Sequence, residues 1–267
     1  MESFANQGID VITGLQGVEK LERGGPAGLT LTYSKEGQAY NLDVSAVILS
    51  SGWLGYLDPL NLPAAGVASE RNYVIVDDYL RSSAEHIFAA GDINGKMMLV
   101  QSGALEGRIA AENAVLGVGQ PVDHSLVPHG GFTDPEYGSV GLAEHQAKEA
   151  GLDYTAATVS YNDLDRAVID NHTTGLCKLI VSKETHRILG AHIAGEQALE
   201  SIHLVAGAMA AQMWVEQLAE LQIAYPTFTA IVGLAARRVV RQLGVMPMAA
   251  EWVSLDRPHA EWEHSSS

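Results

Sequence analysis

An α/β region followed by an α+β domain is the fold class this sequence predicts. Three observations carry it. Residues 86–92, His-Ile-Phe-Ala-Ala-Gly-Asp, form an apolar run that ends at Gly91-Asp92, and a helical pattern follows from Gln101 to Leu116. From Pro121 onward, strand-like runs and helices are grouped, which is the pattern of an α+β unit. With 267 residues, 47% of them hydrophobic, the chain can form one large or two ordinary domains.

Residues 8–50 read as strands joined by turns. Ile9-Asp10-Val11-Ile12 is short and β-branched, Leu29 to Tyr33 alternates, and Gly24-Gly25-Pro26 marks the turn before it. Ala46 to Gly52 reads as a buried strand ending in glycine. Residues 53–85 form a connector holding one short strand, Tyr73 to Asp77. Residues 86–120 then supply the strand, the Asp92 turn and a helix on which Ala104, Gly107, Ala111 and Ala114 recur at helical spacing, a face expected to pack closely. Phe132 to Pro135 reads as a strand entering a turn, and Ala143 to Ala150 as a short helix stopped by Gly151. Strands are expected at Leu176–Val181 and Arg187–Ala194. A long helix follows from Ala198 to Met213, with Leu199, Ile202, His203, Ala206, Met209, Ala210 and Met213 on its apolar face. A last helix runs from Pro226 to Leu243, and the segment from Val245, including Trp252 and Trp262, reads as irregular. The domain division is therefore 1–120, 121–244 and a tail at 245–267.

The strand-then-glycine pattern suggests chemistry at Gly91-Asp92. A strand stopping at glycine lets the backbone approach a ligand closely, and the following carboxylate can accept hydrogen bonds from ligand hydroxyls. Capping of the next turn is the plainer alternative for Asp92. Ten histidines raise the question of a metal, with His124 near His129 and with His186 and His192 flanking a strand. They form no recognisable ligand set with Cys or carboxylates, so none is expected. His203 is expected to pack while hydrogen-bonded. The single cysteine, Cys177, lies in a strand-like run and reads as a small buried hydrophobe. The formal net charge of −16 disfavours nucleic-acid and anionic-membrane partners. No apolar run suits a bilayer and no leader is evident, which makes the cytoplasm the expected location.

Taken in order, residues 80–116, Phe132-Thr133-Asp134-Pro135-Glu136, Ser139 to Leu142, Arg166-Ala167, Lys178-Leu179-Ile180, Ile188 to His192, Gly195 to Ala198 and Tyr225-Pro226-Thr227 resemble the pyridine nucleotide-disulphide oxidoreductases. That family includes dihydrolipoamide dehydrogenase, mercuric reductase and soluble transhydrogenase, and the likeness covers most of residues 8–244. It implies a remnant of the FAD- and NAD(P)-binding domains followed by a dimerisation domain. It implies that Gly91 and Asp92 hold the FAD ribityl chain, that Met98, Leu99, Val100 and Gln101 lie near the flavin ring, and that Tyr225 reaches toward the partner's flavin.

The departures are equally specific. No G-x-G-x-x-G follows a strand, so the family's Gly-rich FAD and NAD(P) loops are missing, and one Cys cannot make the redox pair. Trp53 stands where the family usually has Arg. The family's disulfide-reducing members carry His-Pro-Thr followed by Glu. Here Tyr225 occupies the His position and Ala230 the Glu position. A phenol is a poor base at neutral pH, so lipoamide- or glutathione-type chemistry is disfavoured. The resemblance thus implies a partial FAD-dependent NAD(P)H oxidoreductase that retains the distal FAD half-site and the dimer interface. Flavin binding by the chain alone would be weak or absent, NAD(P) would bind only with a separate N-terminal half, and the partner would be a second copy. A non-catalytic dimerisation or assembly module is the competing expectation.

Overall fold

The computed structural model describes residues 2–117 and 119–246, which divide into two compact units at Trp53/Leu54. In the first, a short helix α1 (Glu2–Asn6) precedes an antiparallel meander of β1 (Leu15–Arg23), β2 (Leu29–Lys35) and β3 (Gln38–Val44). The alternation at 29–33 and the Gly24-Gly25-Pro26 turn are both realised. Tyr33 faces Tyr40 across the β2–β3 ladder, and their rings stack with centroids 5.3 Å apart. Two expected strands do not form. Ile9–Ile12 lies outside regular structure, and so does Ala46–Gly52, where Ile48 and Leu49 are 91% and 81% exposed. Both runs have the residues of strands. Among the described residues, however, no neighbouring strand pairs with either, and an unpaired backbone has no ladder to hold it extended.

The second unit opens with two 3-10 turns (Asp58–Leu60 and Leu62–Ala65) and a two-strand ribbon, β4 (Ser69–Glu70) and β5 (Tyr73–Val74). The strand expected at 73–77 thus stops after two residues. Residues 87–91 are half-buried rather than a buried strand, His86 is exposed, and only Phe88 bridges, to Arg81. Helix α2 (Val100–Leu116) forms where it was expected. Its buried face is not the small-residue one: Ala104, Gly107, Ala111 and Ala114 face out, while Ser102, Glu106, Ile109, Ala110 and Asn113 face in.

Beyond it, β6 (His129–Gly131), β7 (Tyr137–Gly141), β8 (Tyr154–Ser160), β9 (Leu176–Ser182) and β10 (Ile188–Ala194) make an antiparallel sheet in the order β6-β7-β10-β9-β8. The strand expected at Phe132–Pro135 is instead the turn between β6 and β7, with Phe132 at the surface. Short helices α3 (Glu144–Glu149) and α4 (Asp165–Ile169) occupy the connections. Then come α5 (Ala198–Ala210), α6 (Val215–Glu220) and α7 (Ala230–Leu243). Alternation puts Val159, Cys177, Leu179, Val181, Ala191 and Ile193 on one sheet face. There they meet Ile202 and Val205 of α5 and Ile231, Ala235 and Val239 of α7, all fully or nearly fully buried. This is the main core. The buried face of α5 is Ala198, Ser201, Ile202, Val205 and Ala208, rotated from the expected stripe, so His203 is exposed and donates from Nδ1 to the Leu199 carbonyl at 2.7 Å. Helix α7 begins at Ala230 rather than Pro226. Trp252 and Trp262 lie outside the described residues.

One corner of this domain leaves no freedom. Tyr161 is fully buried and its hydroxyl donates to the Glu196 carbonyl at 3.0 Å. A Cβ on Gly195, whose φ is +157°, would stand 2.3 Å from the Tyr161 ring. Glycine is therefore the residue that lets β10 end against that ring.

Candidate functional site

The Gly91-Asp92 turn is built from its backbone outward. Gly91 has φ +80° and ψ −157°, a region essentially reserved for glycine. Asp92–Asn94 then forms one 3-10 turn, and the chain passes through an extended Leu99 into α2. No side chain caps that helix start. Gly91 also lies against Gly103 of α2, close enough that a Cβ on Gly103 would be 3.5 Å from the Gly91 Cα.

A buried carboxylate holds this geometry. Glu106, on the inner face of α2, is fully buried. Its Oε2 accepts from the Gly91 N–H at 2.6 Å and from Asn94 Nδ2 at 2.7 Å, and its Oε1 pairs with His124 Nε2 at 2.6 Å. Asn94 Oδ1 in turn accepts from the Lys96 N–H at 2.9 Å. A second inward residue, Asn113, donates to the Tyr79 and Gln120 carbonyls at 3.1 and 2.8 Å and accepts from the Gly119 and Gln120 N–H groups. Glu106 and Asn113 thus seat the helix through paired polar groups beside the apolar Ile109 and Ala110, while the buried Ser102 Oγ on the same face has no hydrogen-bond partner.

Of the residues read from the sequence, Gly91, Asp92, Met98, Leu99, Val100 and Gln101 gather at the start of α2. Asp92 is exposed. Met98 Sδ accepts from the Tyr73 hydroxyl at 3.8 Å, Leu99 is half-buried, and Val100 is 91% exposed. Gln101 Nε2 donates to the Pro128 carbonyl at 2.8 Å, which fastens the helix start to the approach to β6. Glu106 and Asn94 escaped the sequence reading, which weighed His124 only as a metal ligand. A carboxylate on a helix otherwise flanked by small residues was their only signal.

Tyr225 has a different neighbourhood. It is 74% exposed and precedes a cis peptide bond to Pro226. The Asp165 carboxylate at the start of α4 accepts from its phenol, and that hydrogen bond and negative charge push the Tyr225 pKa up. Ala230, at the start of α7, carries no acid. The carboxylate that Tyr225 does have arrives from 60 positions earlier, with no local pattern to announce it.

The histidines sort into separate pairs. His124 meets Glu106, His172 meets Glu196 at 2.9 Å, His186 meets Glu216, and His192 bonds Ser139 Oγ and the Leu142 carbonyl. Among the described residues no group of three His, Cys, Asp or Glu side chains converges as a metal site. Cys177 is fully buried, and burial pushes its thiol up to about 12. Among the described residues no helix is long and apolar enough to cross a membrane.

Comparison with known proteins places this geometry. Residues 1–107 match the model described as pyridine nucleotide-disulphide oxidoreductase, and residues 127–236 match the dimerisation domain of the same name. A mercuric reductase of Staphylococcus aureus is 33% identical over 236 residues, which are 88% of this chain and 43% of that protein. A dihydrolipoyl dehydrogenase of Geobacillus stearothermophilus is 36% identical over 233 residues, 86% of this chain and 48% of that one. Among solved structures, LpdA from Mycobacterium tuberculosis superposes with a TM-score of 0.78 at 28% identity, over 89% of this chain and 51% of its own. The HOCl-induced flavoprotein disulfide reductase RclA from Escherichia coli gives 0.74 at 27% identity, over 88% and 53%. The chain spans about half the length of the curated relatives it matches.

Proposed function

The chain belongs to the pyridine nucleotide-disulphide oxidoreductase family, and on that premise we propose that it is the distal flavin-site and dimer-forming part of an FAD-dependent NAD(P)H oxidoreductase. The observation that carries this reading is the Gly91-Asp92 turn, held from beneath by the buried Glu106. A Gly-only backbone, an exposed carboxylate and a helix start without a side-chain cap suit the hydroxyl-bearing middle of a flavin cofactor. They do not provide for its pyrophosphate, because no Gly-rich loop follows a strand.

FAD, where bound, supplies hydride chemistry between a nicotinamide and an acceptor. The chain's own residues position it. Asp92 would accept from its ribityl hydroxyls and the 98–101 segment would border its ring, while Glu106 keeps Gly91 in place. Tyr225, held protonated beside Asp165, offers no base for a dithiol, so the fitting acceptors are those that need no thiolate, such as a quinone, a dye or a second nicotinamide. The domain assignment follows the same reading: 1–120 for nucleotide binding and 121–244 for dimerisation into a homodimer, with the cytoplasm as location. A separate N-terminal half would complete the cofactor site.

The competing reading, a non-catalytic dimerisation module, draws on Tyr225, Ala230 and the single Cys. Reconstitution separates the two. The chain is combined with a Gly-rich FAD domain of a relative and titrated with FAD. Stoichiometric flavin that Asp92→Ala weakens supports the enzyme reading. Dimers that never take up flavin support the module.

A further inference from the structure

The sheet face turned away from the main core carries a row of polar residues in register. His129 of β6 faces Ser139 of β7, Ser139 faces His192 of β10, and His192 faces Lys178 of β9. Directly opposed residues share a face, so the row is continuous across four strands. Helix α3 lies over one end of it and adds Glu144, His145 and Lys148. With Tyr154, Leu176, Lys178 and His192, these three line an open pocket of about 620 Å³.

The charges in this pocket run against the rest of the chain. The protein has 16 Lys and Arg against 32 Asp and Glu. Here two lysines and two histidines surround one carboxylate, Glu144, with His129 close enough to His192 to act on it electrostatically. Glu144 occupies only part of this positive ground: its Oε2 takes Lys178 Nζ at 2.6 Å and its Oε1 accepts from the Tyr154 hydroxyl at 3.5 Å. His145 and Lys148 project from exposed positions on α3. His192 is locked, donating from Nε2 to the Leu142 carbonyl at 3.1 Å, with its Nδ1 3.1 Å from Ser139 Oγ. Burial together with the positive neighbours His129, Lys178 and His145 lowers its pKa, so a negative charge in the pocket would relieve it.

We propose that this pocket binds a compact dianionic oxyanion, a phosphate group, through His145, Lys148 and Lys178, with Glu144 as the built-in competitor for Lys178. A point charge on a flexible stem suits phosphate without fixing its orientation, and a concave cationic site concentrates anions from solution. The site lies outside the proposed flavin turn, and its test does not depend on flavin.

Isothermal titration of the full chain with inorganic phosphate, at low salt and about pH 7.5 where the dianion predominates, tests it. One saturable site is expected, with acetate binding far more weakly. Lys148→Ala should weaken phosphate by about fivefold, the scale of one exposed charge pair, while Lys35→Ala leaves it unchanged. Glu144→Gln should tighten it, because Lys178 loses its competitor. By proton NMR, phosphate should raise the titration midpoint of His192. A phosphomonoester binding as well as phosphate assigns the phosphate group alone as the ligand, and tighter binding of the ester assigns a phosphorylated metabolite. The proposal is overturned if phosphate gives no saturable binding, if Lys148→Ala and Lys35→Ala behave alike, or if Glu144→Gln weakens the site.

Discussion

Replacing Glu106 by leucine should loosen the Gly91-Asp92 turn without unfolding the protein. The change removes the acceptor for two donors away from bulk water, the Gly91 N–H and Asn94 Nδ2, and leaves His124 to find water at its partly exposed edge. Each orphaned donor costs about 1–3 kcal/mol, so the two together cost about 2–6 kcal/mol. Burying the leucine returns about 1.5–3 kcal/mol. A net loss of about 2 kcal/mol is a roughly thirtyfold rise in the local opening equilibrium. Native-state hydrogen exchange reads this at one amide, that of Gly91. Glu106→Gln is the discriminating control. Its carbonyl can serve Gly91 and Asn94 while its NH₂ donates to the other tautomer of His124, so its effect should be small. If Gly91 exchanges at the same rate in Glu106→Leu as in the parent protein, or if the glutamine variant is as damaged as the leucine one, then Glu106 does not hold the turn.

Three further outcomes are expected. Purified alone, the chain should be colourless, because the charge-assisted hydrogen bonds of a pyrophosphate loop, about 1.5–3 kcal/mol each, are missing; stoichiometric flavin in the visible spectrum would contradict this. Sedimentation at micromolar concentration should give a homodimer built from residues 121–244, and a monomer of unchanged secondary structure would overturn that. Cys177 should resist alkylation at neutral pH, and its folded pKa is raised from near 9 to about 12. Its contribution to stability is therefore complete below about pH 9 and is lost as pH rises toward 12, by up to about 1.4 kcal/mol per pH unit; a Cys177→Ala variant with the same alkaline loss would show that another group is responsible.

The α+β domain was legible because its strands alternate and its helices repeat. β9 and β10 carry apolar residues every second position on the side that meets α5 and α7, and Gly195 stops β10 where the pattern ends. What failed did so for identifiable reasons. Ala46–Gly52 has strand composition, but composition does not supply the neighbouring strand. Helix α2 was read by its small residues, yet it is seated by Glu106 and Asn113, whose partners lie on other segments. The stripe on α5 was misplaced by about one position per turn, enough to turn His203 outward. In the candidate site, Gly91 and Asp92 were visible because a backbone requirement shows as a glycine. Glu106–His124 and Tyr225–Asp165 were not, since a contact across 18 or 60 positions leaves no local trace.

Helix α2 also has a physical consequence outside the cofactor question. Its inner face mixes Glu106 and Asn113 with Ile109 and Ala110, and its outer face carries Val100, Val115, Leu116 and several small residues, all exposed. In colloidal terms the molecule is a sticky particle kept apart by like charge. At neutral pH the net charge of −16 opposes encounters between such faces. Acid that neutralises the carboxylates, or salt that screens them over less than about 10 Å, removes that barrier while the apolar surface remains. Handling the protein then becomes a matter of ionic conditions: clear solutions in dilute neutral buffer, and turbidity on mild acidification well before the core melts.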